Sequence, residues 1–404
     1  MSKLQNVFRL LMISTLLINL SAADEAPKKL DRLINLLNKQ VQQKLIGAES
    51  AFDTGISRTS GAQKTEEPEV AMFQANPART GVHKEPGPEQ LNELLWRFKA
   101  GGALSAPVIY DGIIYVGSSD HHLYAIDSKT GQEKWKFKTE GKVNYIAIAD
   151  KTAYFGSNDH YFYAINIKTQ QEKWKFKTNG EINGSPIISR NIVYFSSEDH
   201  CLYAIEMTTG KEKWKLKAGD RIVFSAAIYD NTIYFGCYDH KLYAVNLTTG
   251  QEKWTFKAGG IVGSPAVYNG IVYFGCIDGY FYAIDTHTSQ EKWKLPLNSM
   301  AGKPPAIIDN TIYFGSGYYL YAVGTENGKE KWKFSTNQPI YSPVTISNDT
   351  VHFGCDDMYI YALNRHTGEE KWRFKTNGKK PKTPVFAKNK AFFSDTDGCL
   401  HAIR

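Results

Sequence analysis

SAPVIYDGIIYVGSSDHHLYAIDSKTGQEKWKFKT, from Ser105 to Thr139, recurs along this chain with its alternation of apolar and polar residues almost intact. Its tryptophan marks the register. Eight tryptophans stand at Trp96, Trp135, Trp174, Trp214, Trp254, Trp293, Trp332 and Trp372, spaced 39, 39, 40, 40, 39, 39 and 40 residues apart. A fixed period of about 40 residues is the mark of one β-sheet unit repeated around an axis.

Each copy parses into four short strands: an apolar run after a proline (Pro107 to Ile109), an aromatic-bearing run (Tyr115-Val116, Tyr154-Phe155), the "LYAI" run and the "EKWKFK" run. Asp111-Gly112 and Asn269-Gly270 supply hairpin chemistry at the first turn. The third turn is Thr-Gly, as in Thr130-Gly131 and Thr249-Gly250, with Asn327-Gly328 and Thr288-Ser289 as variants. Glycine there gives the positive φ that a short loop needs. No helical period interrupts the repeats.

The two ends give the count. Leu400 to Arg404 is a third strand with no fourth after it, and Leu94 to Lys99 is a fourth strand with no first three before it. Joining them predicts an all-β, eight-bladed β-propeller of four-stranded blades, closed by an N-terminal outer strand that removes two raw sheet edges.

The outer strands also account for the charge. In Lys134-Trp135-Lys136-Phe137-Lys138 the two-residue strand period puts the aromatics on one face and the lysines on the other. Edge lysines oppose sheet-to-sheet aggregation. The formal net charge of +7, from 48 basic and 41 acidic residues, is thus mostly a solvated rim. Spread by symmetry around the ring, it makes no single basic face for nucleic acid.

Before the ring, residues 1–23 carry Lys3 and Arg9, an apolar run from Leu10 to Leu20 and the small residues Ser21-Ala22-Ala23. This reads as a cleavable export signal, too short for a spanning helix, which predicts a periplasmic or secreted protein with no transmembrane segment. No cysteine near the cleavage point offers a lipid anchor. Within residues 24–46, Leu30, Ile34, Leu37, Val41 and Leu45 recur at helical spacing, an amphipathic helix. Residues 47–70 read as a Gly/Ser/Thr/Glu-rich linker, and 71–404 as the propeller.

Cys237, Cys276 and Cys355 share one repeat position, where Ser118, Ser157, Ser197 and Ser316 stand in other copies, and Cys201 and Cys399 share another. Ring symmetry holds such positions roughly 9–11 Å apart, given a strand spacing of about 4.8 Å. A disulfide needs Cα atoms within about 7 Å, so all five are expected to be free thiols filling small buried sites. His121, His160, His200 and His240 each follow an aspartate in successive copies. The same symmetry keeps them from one metal ion, and they are read as a turn position that Gly279 and Gly398 fill elsewhere.

The "LYAIDSKTGQEKWKF" text resembles the PQQ-type β-propeller repeat, Ala-x-Asp-x-x-Thr-Gly-x-x-x-Trp, at Ala125, Asp127, Thr130, Gly131 and Trp135. Ala283, Asp285, Thr288 and Trp293 repeat the match, with Ser289 in place of glycine. "MFQANPARTGV", Met72 to Val82, resembles the lead-in of such propellers. The resemblance implies one of two functions. Quinoprotein dehydrogenases of this type stack their cofactor between a tryptophan and a ring of two adjacent cysteines, with calcium held by carboxylates. This chain has no Cys-Cys pair, commits all eight tryptophans to the repeat and carries no long inserted loop. Neither PQQ nor calcium is expected, and no catalytic residue is assigned. The other branch, the BamB-type scaffold of outer-membrane protein assembly, implies protein partners in the cell envelope; the missing lipid-anchor cysteine departs from it. A small-ligand or glycan binder using the channel mouth is a third reading. No Gly-x-Ser-x-Gly, His-Glu-x-x-His or Walker loop occurs.

A partner-binding face is expected where the fourth-to-first loops and second-to-third turns emerge together. There Lys142, Glu181, Arg221, Lys303, Lys380 and Lys382 replace Gly102 and its like. Variation inside a rigid repeat marks positions that packing does not dictate.

Overall fold

The computed structural model describes residues 70–404, apart from Asn92, Asn377 and Gly378. The export signal, the 24–46 helix and the linker up to residue 69 lie outside the described residues. No helix among the described residues is long and apolar enough to cross a membrane.

Eight antiparallel sheets follow one another along the chain. Blade 1 has strands Val108–Tyr110, Ile113–Gly117, His122–Asp127 and Glu133–Lys138, and blades 2 to 7 repeat that order. In blade 8 the fourth strand is the N-terminal β3 (Leu94–Lys99), which pairs antiparallel with Cys399–Ile403 in the register Trp96↔Ala402, Phe98↔Leu400. The expected closure is present.

The repeat is legible in the packing. A phenylalanine of the second strand stacks on a tyrosine of the third in blade after blade, as in Phe235–Tyr243 (ring centroids 4.9 Å, 2°) and Phe274–Tyr282 (5.2 Å, 12°). Five such tyrosines donate their hydroxyl to an aspartate four residues earlier, as Tyr163 does to Asp159 at 2.8 Å, while Tyr321 of blade 6 has Gly317 there. The tryptophans join blade to blade. Trp174 Nε1 donates to Met207 O at 2.9 Å, and Trp332 Nε1 to Arg365 O at 3.0 Å, in each case the third turn of the next blade. The indole also lies against that turn, so a Cβ added at Gly210 would stand 2.7 Å from Trp174. Glycine is not obligatory there: Gln170 (φ 62°) and Ser289 (φ 59°) take the same left-handed conformation.

The lead-in contributes what the repeat pattern does not contain. β1 (Ala71–Met72) adds a fifth strand to the inner edge of blade 2, and β2 (Val82–His83) adds one, parallel, to blade 7. Between them the backbone carbonyls of Pro77, Ala78, Thr80 and Gly81 accept from Ile228, Val267, Ile307 and Ile346, the first strands of blades 4 to 7. The segment thus runs round the inside of the ring, at the end of the channel where first strands turn into second strands. Arg79, fully buried, anchors it: its guanidinium donates to Phe73 O, Ala226 O (3.0 Å), Ser185 O and Pro186 O (both 3.1 Å). Burial holds its pKa down at about 9 against the opposing influence of the Tyr145 phenol, and its bonds go to backbone carbonyls rather than to a carboxylate.

Candidate functional site: the open face and its channel

Backbone hydrogen bonds show that the fourth-to-first loops and second-to-third turns share one face. Asn158 N donates to Lys142 O (3.0 Å), Glu198 N to Glu181 O (2.8 Å), Tyr238 N to Arg221 O (3.2 Å) and Thr396 N to Lys380 O (3.1 Å). The same bond in blade 1 runs from Ser119 N to Ala103 O (2.9 Å), so these four residues replace Ala103, not Gly102. Lys303 and Lys382 occupy other positions, deeper along their loops.

The six split accordingly. Glu181 accepts from Asn158 Nδ2 at 2.6 Å, and Arg221 lies over the Tyr238 ring (4.7 Å) while reaching Glu198 at 3.4 Å. Both are held by neighbours, Glu181 by Asn158 on blade 2 and Arg221 by residues of blades 3 and 4. Lys380 pairs with Asp356 on the opposite rim. Lys142, Lys303 and Lys382 converge on the channel instead, from blades 2, 6 and 8.

Lys303 and Lys382 line a cavity of about 300 Å³, together with Tyr341, Tyr145 and, from the lead-in, Phe73, while Lys142 is exposed and close enough for its charge to act on Lys382. Phe73 and Tyr145 pack at 4.8 Å between ring centroids, and the Arg79 guanidinium lies 5.6 Å from the Phe73 ring. The channel is therefore a well, open on the loop face and floored by the lead-in. Lys303 stays wetted, but the walls of a concave site crowd its ammonium, and burial lowers its pKa. Lys382 is pushed down to about 8, first by burial and then by the like charges of Lys142 and Lys303.

A second feature was missed because the sequence reading looked for charge. Among the described residues the exposed large hydrophobics are Leu94, Ile277, Met300, Tyr318, Tyr341 and Met358. All but Leu94 lie on this one face, and all on the loops and turns of blades 5 to 7. The signal was available: Ile277 stands where blade 1 has Ser119, and Met300 where blade 2 has Lys142.

His121, His160, His200 and His240 adopt left-handed conformations (φ 72°, 72°, 74° and 69°) at the place of Gly279 (83°) and Gly398 (85°), as a turn position requires. All five cysteines are buried and free.

The fold and repeat define an eight-bladed propeller of the PQQ-like kind. The chain belongs to the β-propeller family whose model is described as "Beta-alanine-activating enzyme, beta-propeller", which matches residues 189–404. A second model, described as outer membrane protein assembly factor BamB, matches residues 90–149. No curated protein matches in sequence. Similar solved structures include the computationally designed Ika8 protein (19% identity, TM-score 0.71, 77% of this chain and 99% of that one). BamB from Moraxella catarrhalis (15%, 0.66, 77% and 99%) and a quinohemoprotein alcohol dehydrogenase from Comamonas testosteroni (15%, 0.68, 82% and 80%) share the fold as well. At these identities the likeness is one of fold alone.

Proposed function

We propose that the protein is a non-catalytic propeller scaffold of the cell envelope, exported by its N-terminal signal, that binds a protein partner on the loop face of blades 5 to 7. The observation that carries this reading is the gathering of Ile277, Met300, Tyr318, Tyr341 and Met358 in one sector. Isolated exposed apolar residues are ordinary, but a sector of them on one face of a rigid ring is the composition of a protein-binding surface. The Lys380–Asp356 pair lies beside it and supplies a polar rim.

The residues do not suit a quinone cofactor. The tryptophans sit on outer strands, with indole N–H groups such as those of Trp174, Trp214 and Trp293 given to the next blade. The cysteines are buried singly, and none adjoins another. Purified protein given PQQ and calcium is expected to reduce no dye with alcohols or sugars.

The binding reading is tested by photo-crosslinking in cells, with benzoylphenylalanine at Tyr318 or Met358 and, as a control, at Lys168 on the opposite face. A discrete adduct from the first two positions and none from the third is the expected result. Equal labelling from both faces, or no adduct from either, would refute the assignment.

A further inference from the structure

Two lysines lining the channel well, Lys303 and Lys382, and a third near enough to act on Lys382, Lys142, have ammonium groups without acidic partners. The ammonium groups of Lys142, Lys303 and Lys382 make no ion pair or hydrogen bond among the described residues, although the backbones of Lys142 and Lys382 are bonded. The one carboxylate lining the well, Asp356, is taken by Lys380. Beneath the floor lies a fourth cation, Arg79, bonded only to backbone carbonyls. Like charges gathered in a concave, partly desolvated site repel one another, and low-dielectric walls strengthen the field they make. Many lysines elsewhere among the described residues meet acids, as Lys134 meets Asp127 at 3.3 Å and Lys292 meets Asp285 at 3.3 Å, or hydroxyls, as Lys371 meets Thr350 Oγ1 at 2.8 Å. Those of the well meet neither, and a ligand of opposite charge would satisfy them.

We propose that the channel well is a binding site for a small multivalent anion, a molecule carrying phosphate or carboxylate groups, held by Lys303 and Lys382 with the charge of Lys142 adding to the field. Two unpaired ammonium groups from separate blades in the wall, with a third cation nearby, suit an ion with several anionic oxygens better than a monovalent one. The size follows from the floor: the lead-in closes the well at about 300 Å³, the low end of small-molecule pockets. The Tyr145, Tyr341 and Phe73 rings leave an apolar wall for the carbon body of such a molecule. An anion would also restore the charged form of Lys382, so binding is expected to be accompanied by proton uptake near pH 8.

Isothermal titration of the full chain with citrate and with inorganic pyrophosphate, at pH 7 and about 0.15 M salt, tests the assignment. One-to-one binding of either is the expected result, the preferred ion telling carboxylate from phosphate chemistry. Lys303→Gln and Lys382→Gln are each expected to weaken it at least tenfold, while Lys382→Arg, which keeps the charge, stays within a few-fold. The two ligand-free Gln variants should melt no lower than the parent, since each removes a repelling charge. That last readout separates a ligand site from lysines that merely support the fold. Absence of saturable binding by both ions, or unchanged affinity in the two Gln variants, would overturn the proposal. So would binding of hexaglutamate in place of both ions, which would make the lysines part of a protein interface. Tyr318→Ser should leave anion affinity unchanged, so failure of the partner-binding reading and failure of this one can be told apart.

Discussion

The two faces of this ring are built from the same repeat and obey different rules. On the face of the third turns, six of the eight tryptophans latch one unit to the next: the indole reaches across and donates to a backbone carbonyl of the neighbouring turn, and at Gly210, Gly250 and Gly368 it lies against the left-handed residue that ends the turn. Side-chain identity carries that contact, so the text hardly varies. On the opposite face the loops are tied to their neighbouring turns by backbone bonds, such as Asn158 N to Lys142 O and Thr396 N to Lys380 O. A backbone bond does not specify the side chain above it. Evolution is free there, and that is where the apolar sector and the lysine well have accumulated.

The largest effect is expected from removing the strand that completes the latched face. A chain beginning at Ala100 lacks Trp96, which donates to Ser128 O at 3.3 Å, and Phe98, which packs on Tyr124 at 5.4 Å. It also lacks the lead-in that wires the inner strands of blades 4 to 7. Losing one fully buried aromatic costs about 3–5 kcal/mol; the half-buried Trp96 and Phe98 cost less apiece, but with the lead-in their loss is comparable to the whole stability of a typical domain, about 5–15 kcal/mol. Urea denaturation should show no cooperative transition, or one at much lower midpoint. A midpoint equal to that of the full chain would mean that closure is not structural.

The latched face was readable because its rule is written in residues. Trp spacing gave the blades, and the unmatched ends at Leu94 and Ile403 gave the closure. The lead-in was visible only as a family-like stretch. Two-residue strands such as Ala71–Met72 have no periodicity, and their register is set by the strands they join. Arg79 offered no hint of burial, since arginines are rarely buried without a carboxylate. The lysines of the well were singled out as departures from the repeat, but their meeting was not readable. Lys303 and Lys382 share the repeat position of Ser105 while Lys142 stands at that of Ala103, and only the closed ring brings blades 2, 6 and 8 to one axis.

A smaller effect compares the faces at single glycines. Gly210 has φ +70°, and an added Cβ would stand 2.7 Å from the Trp174 ring, whereas a Cβ at Gly302, on the loop face, would meet nothing within 4 Å. Gly210→Ala is expected to cost about 1–2 kcal/mol, tempered because Gln170 and Ser289 already manage the same conformation in other blades. Gly302→Ala should fall within about 0.5 kcal/mol of the parent. Equal costs in paired urea titrations would show that the indole latch does not constrain the turn.

The smallest effect concerns a lapse in the repeat on the inner side of blade 7. His352 fills the place of Tyr115 and Tyr154, buried against Phe386 (4.6 Å) and Trp372 (5.6 Å), and neither ring nitrogen has a hydrogen-bond partner. Burial holds it down to about 3, with His83 and Lys371 adding to the depression, and burial holds His83 to about 4. Both folded values lie below the ordinary histidine pKa of about 6.5. Between about pH 4 and 6.5 the unfolded chain therefore binds more protons than the folded one, and stability rises with pH across that window. It is lost as the solution is acidified from about pH 6.5, not gained. Phenylalanine already stands at the equivalent position of blade 8, as Phe392. His352→Phe should thus be within about 1 kcal/mol of the parent at pH 8, yet measurably more stable than it at pH 5, with a shallower slope between. Parallel pH–stability curves for parent and variant would show that His352 does not remain neutral in the fold. The residual slope in the variant should then fall further on replacing His83, the other buried imidazole without a partner at Nε2.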